Sequence, residues 1–236
     1  MEKVKKGDFV EIDFVGRIKN GPIFDLTRED VAKKNNLYKE SINYKPLIIC
    51  IGARNVIPGL DDELIGKELG KEYTIEINCE GAFGKKDQRL IKIVNINLFR
   101  KNKIEPVPGL QVNVDNLIGI IRSVAGGRVI VDFNNPLAGR VLVYEIKINK
   151  KIKDIVEKIK SCIQFNLGLN EKIYTINKDK DKIEITSKIE IPKEVIEKFN
   201  SYIKKEIKDA PEIMFKYEKM DDNVKRGIEK KKDTGE

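Results

Sequence analysis

One stretch punctuated by glycine and proline, residues 51–70 (IGARNVIPGLDDELIGKELG), constrains the fold more than any other part of the chain. An apolar triplet ending in Pro58 leads into Gly59, Leu60 and an acidic run, and two further glycines follow. Proline suits the first helical position, acidic side chains suit the positive end of a helix, and glycine commonly ends one. The stretch therefore predicts a helix of one or two turns, entered through a tight apolar corner. That corner is either part of a core or the floor of a pocket.

Alternation of apolar and polar side chains predicts strands on both sides of this short helix. The predicted strands before residue 150 are 8–19, 23–26, 47–51, 71–78, 90–99, 111–114, 118–124, 128–133 and 140–149. The Asn20-Gly21-Pro22 segment predicts a tight turn between the first two strands. Thr27, followed by acidic residues, predicts the start of a short helix over residues 28–36.

Three motifs resemble, in order and spacing, the pocket-forming segments of FKBP-type peptidyl-prolyl isomerases. They are Val15-Gly16 through Phe24-Asp25, the Val56-Ile57-Pro58-Gly59-Leu60 segment, and Ala82-Phe83-Gly84. The run DFNNPLAG over residues 132–139 resembles the point where an inserted domain rejoins the barrel in long archaeal members and in bacterial proteins of the SlyD class. The resemblance implies an α+β fold: an antiparallel half-barrel wrapped on a short helix, with an inserted all-β domain and a C-terminal α+β domain.

The resemblance also assigns residues to a proline pocket. The implied catalytic residues are Phe14, Asp25, Val56, Ile57, Leu60, Phe83 and Tyr144, and the implied substrate contacts beside them are Phe24, Leu47, Leu137 and Ala138. In this scheme Leu60 forms the floor, the Ile57 backbone N–H holds a substrate carbonyl, and Asp25 orients its neighbours and polarises the site. Many members carry tryptophan at the floor and tyrosine at two wall positions, where this chain has Leu60, Phe14 and Phe83. Tight binding of macrolide drugs is therefore not expected.

The resemblance implies an isomerase domain over residues 1–86 and 132–150, and a small β domain inserted over residues 87–131. In SlyD-class proteins the equivalent insert binds unfolded polypeptide, and the residues expected to contact such clients here are Ile91, Ile93, Val94, Leu98 and Phe99. The alternative is that these side chains form the core of the insert itself. Residues 85–132 carry 9 Lys and Arg against 4 Asp and Glu, which allows attraction to acidic chains or to ribosomal RNA.

A different pattern begins after residue 150. Helical spacing over residues 152–163, strands at 173–176 and 183–191, a helix opened by Pro192 and a last strand at 212–217 predict an α+β domain over 151–220. A charged tail over 221–236 is expected to be disordered. The wide apolar faces and open strand edges of this domain suggest a homodimer.

Composition excludes several classes of chemistry. The chain of 236 residues contains no histidine, which excludes histidine-based acid–base catalysis and a His-rich metal tail. The three cysteines are far apart and outside any paired metal spacing, so neither a metal site nor a disulfide framework is expected. The sequence has no long apolar run, and its first seven residues are too charged for a signal peptide, so no membrane contact and a cytoplasmic location are expected. No cofactor is expected.

Taken together, these features predict a peptidyl-prolyl cis-trans isomerase coupled to a folding chaperone, acting on unfolded or nascent polypeptides. Two alternatives stay open at this point. One is a holdase without isomerase activity on the same scaffold, and the other is a ribosome-associated factor led by its basic insert.

Overall fold

The computed structural model describes residues 2–114, 116–179 and 182–218. Its elements in chain order are β1 (Phe9–Ile18), β2 (Ile23–Leu26), α1 (Glu29–Lys34), β3 (Leu47–Cys50), α2 (Pro58–Leu64), β4 (Glu72–Ile77), β5 (Ile91–Asn95), α3 (Ile96–Lys101), β6 (Gln111–Val114), β7 (Leu117–Ala125), β8 (Arg128–Asp132), β9 (Leu142–Lys151), α4 (Ile155–Leu167), β10 (Tyr174–Asp179), β11 (Lys182–Ser187), α5 (Lys193–Glu206) and β12 (Glu212–Tyr217). The tail predicted over 221–236 lies outside the described residues.

The first sheet is a five-stranded antiparallel half-barrel. Its order is β2-β1-β9-β4, and β3 pairs with the first half of β1. Helix α2 places Leu60 and Leu64 in the concave side, where they join the inward side chains of β1, β4 and β9 in one core. The predicted fold class, a half-barrel wrapped on a short helix within a larger α+β chain, is confirmed.

The inserted segment forms a four-stranded sheet in the order β5-β8-β7-β6. The strand predicted over residues 90–99 is wrong beyond Asn95, because α3 begins there. The Asn95 side chain accepts a hydrogen bond from the Asn97 N–H at 2.9 Å, and this cap turns the chain into a helix. The turn carries Phe99, which is 3% exposed, onto one face of the sheet, where it packs with Val112 and Val129.

The predicted cap of α1 is also wrong. Helix α1 starts at Glu29 after Arg28, and no side chain caps it. Thr27 instead accepts a hydrogen bond from the Phe14 N–H at 2.9 Å and donates one to Asp13 Oδ1 at 2.8 Å. The hydroxyl thus fastens the end of the β2 segment to β1 rather than starting a helix.

The C-terminal part folds as a three-stranded sheet, β10-β11-β12, covered by α4 and α5. Strands β10 and β11 are antiparallel, and β12 lies parallel to β11. The helix predicted over 152–163 begins later, at Ile155, because the Asp154 carboxylate caps it by accepting from the Glu157 N–H at 3.0 Å. The predicted strand over 183–191 ends at Ser187, since the chain turns there to reach α5. No helix in the described ranges is long and apolar enough to cross a membrane.

Candidate active site

The corner before α2 is held by a buried carboxylate. Asp61 is fully buried, and its two oxygens accept hydrogen bonds from the Gly52 N–H at 2.8 Å and the Arg54 N–H at 2.9 Å. The Asn55 side chain accepts a further bond from the Cys50 N–H at 2.8 Å. These contacts fix the path of the backbone from β3 to Ile57. The acidic run was interpreted from sequence only as favourable charge at a helix start, and the anchoring role of Asp61 was missed.

The corner forms one side of an apolar pocket with a volume of about 640 Å³. Its lining residues are Phe14, Phe24, Asp25, Leu26, Thr27, Asn43, Lys45, Pro46, Leu47, Asn55, Val56, Ile57, Leu60, Phe83, Leu137, Tyr144, Gln164 and Phe165. Leu60 lies at its base and is 1% exposed. The Ile57 carbonyl accepts from the Leu60 and Asp61 N–H groups as α2 begins, whereas the Ile57 N–H has no acceptor within the described ranges. This N–H can therefore bind a ligand carbonyl.

Three aromatic rings form the wall opposite the corner. The Tyr144 ring, on β9, lies between Phe14 and Phe24, with centroid separations of 5.9 Å to each. The Phe24 contact is edge-to-face, with an interplanar angle of 84°. Such offset and tilted contacts are favourable between aromatic rings. Phe83 is 38% exposed and stands at the open rim.

Two ionisable groups at this wall have perturbed pKa values. Burial raises the pKa of Tyr144 to about 12, and the nearby Asp25 carboxylate adds to the shift. Asp25 is an exposed residue of the edge strand β2, but partial desolvation of its carboxyl group raises its pKa, and a hydrogen bond from the Leu26 N–H partly offsets this shift. Both shifts mark a site that disfavours charge.

Two glycines of the sequence motifs allow close packing around the pocket. A Cβ on Gly16 would lie 3.0 Å from both the Phe24 and Tyr144 rings, so this position must be small for the wall to assemble. A Cβ on Gly59 would lie 2.7 Å from Ile77 Cγ2 and 3.1 Å from the Gly81 carbonyl oxygen. The contact between the Gly59 and Gly81 backbones brings α2 against the loop that carries Phe83.

Replacing Gly59 by alanine should therefore destabilise the protein. The added methyl group must displace Ile77 and the Gly81 backbone, and overpacking of this kind costs about 1–3 kcal/mol. Chemical denaturation of G59A beside the exposed control E63A on the same helix measures the effect. If G59A is as stable as wild type, the close approach of the two backbones is not a packing constraint.

The structure brings together most of the predicted pocket residues. The catalytic set predicted from the resemblance lines one cavity together with Phe24, Leu47 and Leu137. Ala138 does not line it: this residue is 3% exposed and lies inside the loop that follows Leu137. The resemblance gave no signal for Gln164 and Phe165, which reach the pocket from α4.

The residues predicted to bind clients on the insert fall into three groups. Ile91 and Ile93 lie on the face of the sheet that points away from the core of the insert, and Ile93 is 65% exposed. Val94 faces that core, as does the buried Phe99, so burial removes Phe99 from any client surface in this structure. Leu98 is 43% exposed on α3, on the opposite side of the sheet.

Comparison with known proteins identifies the class to which this fold and pocket belong. The family model for FKBP-type peptidyl-prolyl cis-trans isomerase matches residues 1–96, and the model described as FKBP26, IF domain matches residues 92–137. A short-type peptidyl-prolyl cis-trans isomerase of Methanocaldococcus jannaschii is 33% identical over 145 residues, which cover 61% of this chain and 92% of that protein.

More distant relatives are bacterial. The FKBP-type 16 kDa peptidyl-prolyl cis-trans isomerase of Escherichia coli (strain K12) is 26% identical over 152 residues, covering 62% of this chain and 93% of the relative. The FKBP-type peptidyl-prolyl cis-trans isomerase SlyD of Pasteurella multocida is 27% identical over 150 residues, covering 62% of this chain and 68% of the relative. This chain belongs to the FKBP-type peptidyl-prolyl cis-trans isomerase family.

Proposed function

We propose that the protein is a peptidyl-prolyl cis-trans isomerase of the long archaeal type, coupled to a chaperone function and acting on unfolded or nascent polypeptides. The observation that carries the proposal is the apolar cavity with aromatic walls, with the Ile57 N–H at its edge, for which the described part of the chain offers no acceptor. A cytoplasmic location is part of the proposal. The absence of disulfides among the cysteines, all within the described ranges, fits a reducing compartment.

The chemistry follows from the nature of the barrier. Rotation about an X-Pro bond is slowed by amide resonance, with a barrier of about 18–20 kcal/mol. The planar amide has separated charge that water stabilises, and twisting reduces that charge. A dry pocket walled by Phe14, Phe24 and Tyr144 therefore favours the twisted state over the planar one, which is differential binding of the transition state. The Ile57 N–H would hold a substrate carbonyl, and the reaction needs no nucleophile and no proton transfer.

A protease-free isomerisation assay tests the activity. The full chain is mixed with a proline-containing tetrapeptide, and the approach to cis–trans equilibrium is followed by NMR exchange or by a solvent jump. Acceleration that saturates with peptide and is strongly reduced in a Phe24→Ala variant, which opens the aromatic wall of the pocket, is the expected result. A full chain that leaves the uncatalysed rate unchanged would contradict the proposed activity.

The outer face of the insert is the surface proposed to bind clients. Val94, Val129 and Val131 pack into the core of the insert. Because side chains alternate along a strand, the isoleucines at the positions between them point to the other face of the sheet. These isoleucines are Ile91, Ile93, Ile118, Ile120 and Ile130. Ile93 and Ile118 are 65% and 63% exposed, an unusual exposure for such side chains. An extended apolar segment of an unfolded chain fits this face.

A double substitution on this face is expected to separate the two proposed activities. In I93D/I118D, tetrapeptide isomerisation should stay within about twofold of wild type, because neither residue lines the pocket. Proline-limited refolding of a denatured protein should slow roughly tenfold, since two desolvated apolar contacts of about 1 kcal/mol or more would be lost. The control V195D places one such charge on a partly exposed apolar residue of α5. Equal losses in both assays would contradict the division of labour.

A variant with an altered pocket distinguishes an isomerase from a holdase, which prevents aggregation by binding unfolded chains. A holdase without isomerase activity would suppress aggregation in a pocket variant as well as in wild type, with no catalysis by either. Ribosome association, suggested by the basic insert, predicts cosedimentation that falls steeply with salt.

We also propose a homodimer formed through the C-terminal domain. Strands β10 and β12 are the two edges of its sheet, and Met214 and Tyr217 on β12 are 40% and 43% exposed. Light scattering at micromolar concentration gives the mass directly, and a monomer would contradict this part of the proposal.

A further inference from the structure

Helix α4 of the C-terminal domain reaches the pocket of the barrel. Gln164 and Phe165, in its last turn, line the same cavity as Leu47 and Asn55. Phe165 is half-buried and packs against the core of the half-barrel rather than against the C-terminal core. Immediately afterwards, Gly168 adopts a positive φ of 63° and ends the helix. The pocket is therefore assembled from two domains.

Three contacts hold α4 in this position. Ser161 Oγ donates to the Ile48 carbonyl of β3 at 2.6 Å, within a buried interface. Phe9 and Cys50 of the barrel, 2% and 0% exposed, belong to the core of the C-terminal domain. Lys45, which also lines the pocket, pairs with Glu171 at 2.5 Å. Because moving α4 away would expose Phe9 and Cys50 to water, Phe165 is a fixed part of the wall.

Two of the similar proteins have little sequence left that could form an equivalent of this wall. The matched 145 residues already account for 92% of the M. jannaschii relative, and 152 residues account for 93% of the E. coli relative. The two family matches end at residues 96 and 137, both before α4 begins. Relative to those two proteins, the Gln164–Phe165 wall is therefore a feature that this chain adds to the pocket.

We infer that Phe165 and Gln164 are specificity-determining residues of the isomerase, an inference that rests on the proposed function. The Phe165 ring offers an apolar contact to a side chain next to the substrate proline. The exposed Gln164 amide can donate to and accept from the backbone of the same residue. The substrate class favoured by this wall is an X-Pro segment with a large apolar residue beside the proline, as found in those segments of unfolded proteins that become buried on folding.

The test uses the full chain and two peptide series, one varying the residue before proline and one varying the residue after it, each with leucine, alanine and glutamate. For the wild type, kcat/KM should favour leucine over alanine in at least one series. F165A should reduce that preference about tenfold, the range in which one apolar contact discriminates between substrates. Q164A, at an exposed position, should raise KM about threefold for every peptide with no change in Tm, as for the loss of one hydrogen bond.

L167A provides the matched control. Leu167 is a half-buried apolar residue of the same helix that packs in the C-terminal core and does not line the pocket. L167A should lower Tm without changing the leucine-to-alanine ratio of kcat/KM. F165L retains an apolar side chain at position 165 and should keep most of the preference for leucine. Suppose that the wild type is active, that the leucine-to-alanine ratio is unchanged in F165A, and that KM is unchanged in Q164A. This result would overturn the present inference and leave the proposed function standing. A wild type inactive on every peptide would overturn the proposed function and this inference with it.

Discussion

Replacing Asp132 by asparagine (D132N) is expected to lower the free energy of unfolding by about 2–4 kcal/mol, the larger of the two stability effects predicted for this protein. Asp132 ends β8, where the chain returns from the insert to the barrel, and it is 3% exposed. Its Oδ2 accepts from Lys86 Nζ at 2.6 Å and from Arg122 Nη2 at 2.7 Å. Its Oδ1 accepts from the Asn134 N–H at 2.9 Å and from Asn134 Nδ2 at 2.8 Å. Each carboxylate oxygen is thus bonded to two donor groups.

The carboxylate joins the two chain segments that connect the insert to the barrel. Lys86 lies where the chain leaves the barrel, and the Asn134 side chain accepts from the Asp87 N–H at 2.8 Å and donates to the Asp87 carbonyl at 3.0 Å. An amide at position 132 would leave Lys86 and Arg122 without their anion. The expected loss in the free energy of unfolding is smaller than for a fully buried ion pair, because Lys86 and Arg122 both keep part of their contact with water.

The pH dependence of this effect has a definite sign. Burial alone would raise the pKa of Asp132, but the hydrogen bonds from Lys86, Asn134 and Arg122 outweigh it and hold the pKa well below its ordinary value of 3.8. The stabilisation is therefore complete above the pKa of the unfolded chain and is lost as pH falls below it. Urea unfolding of wild type and D132N should differ by a constant amount from pH 7 to about pH 5, and by less below about pH 4.

D30N is the control for this prediction. Asp30 pairs with Arg28 at 2.8 Å, but both side chains are largely exposed, so its replacement should change the unfolding midpoint very little. A D132N protein that matches wild type at pH 7 would show that the carboxylate does not stabilise the junction.

Patterns local in sequence predicted much of this fold. Alternation over residues 8–19 and 71–78 gave β1 and β4 to within two residues, and the motif around Leu60 gave the base of the pocket. These features follow from strand periodicity and from a compact motif whose residues are near one another in the chain.

What could not be predicted depends on partners distant in sequence. The strand expected through Phe99 ended at Asn95, because a side-chain cap and the core of the insert outweighed the alternating pattern. Asp61 appeared in the sequence as one acid among three, and only the structure brings it to the Gly52 and Arg54 N–H groups. Phe165 lies outside the helical spacing predicted over residues 152–163, and nothing local indicates that it packs against the half-barrel.

The largest expected effect on catalysis is that of removing a pocket wall. F24A should lower kcat/KM for a good tetrapeptide about 10–100-fold, which corresponds to roughly 1.4–2.8 kcal/mol of transition-state stabilisation. The Phe24 ring packs edge-to-face on Tyr144 and lines the cavity, so its loss admits water to the site where the amide must twist. F24L keeps an apolar wall and should retain most of the activity.

Y144F distinguishes an apolar mechanism from one that depends on a phenol. Burial raises the pKa of Tyr144 to about 12, so its hydroxyl stays protonated in any ordinary assay, and the ring remains in place after the substitution. If exclusion of water by the walls drives catalysis, Y144F should reduce kcat/KM less than about fivefold, because it removes at most one hydrogen bond. F24A should then reduce kcat/KM more than Y144F does. The measurement is kcat/KM for both variants with one peptide between pH 6 and 9. If Y144F loses more activity than F24A, a hydrogen bond from the phenol, and not the dry aromatic wall, is the main source of the rate.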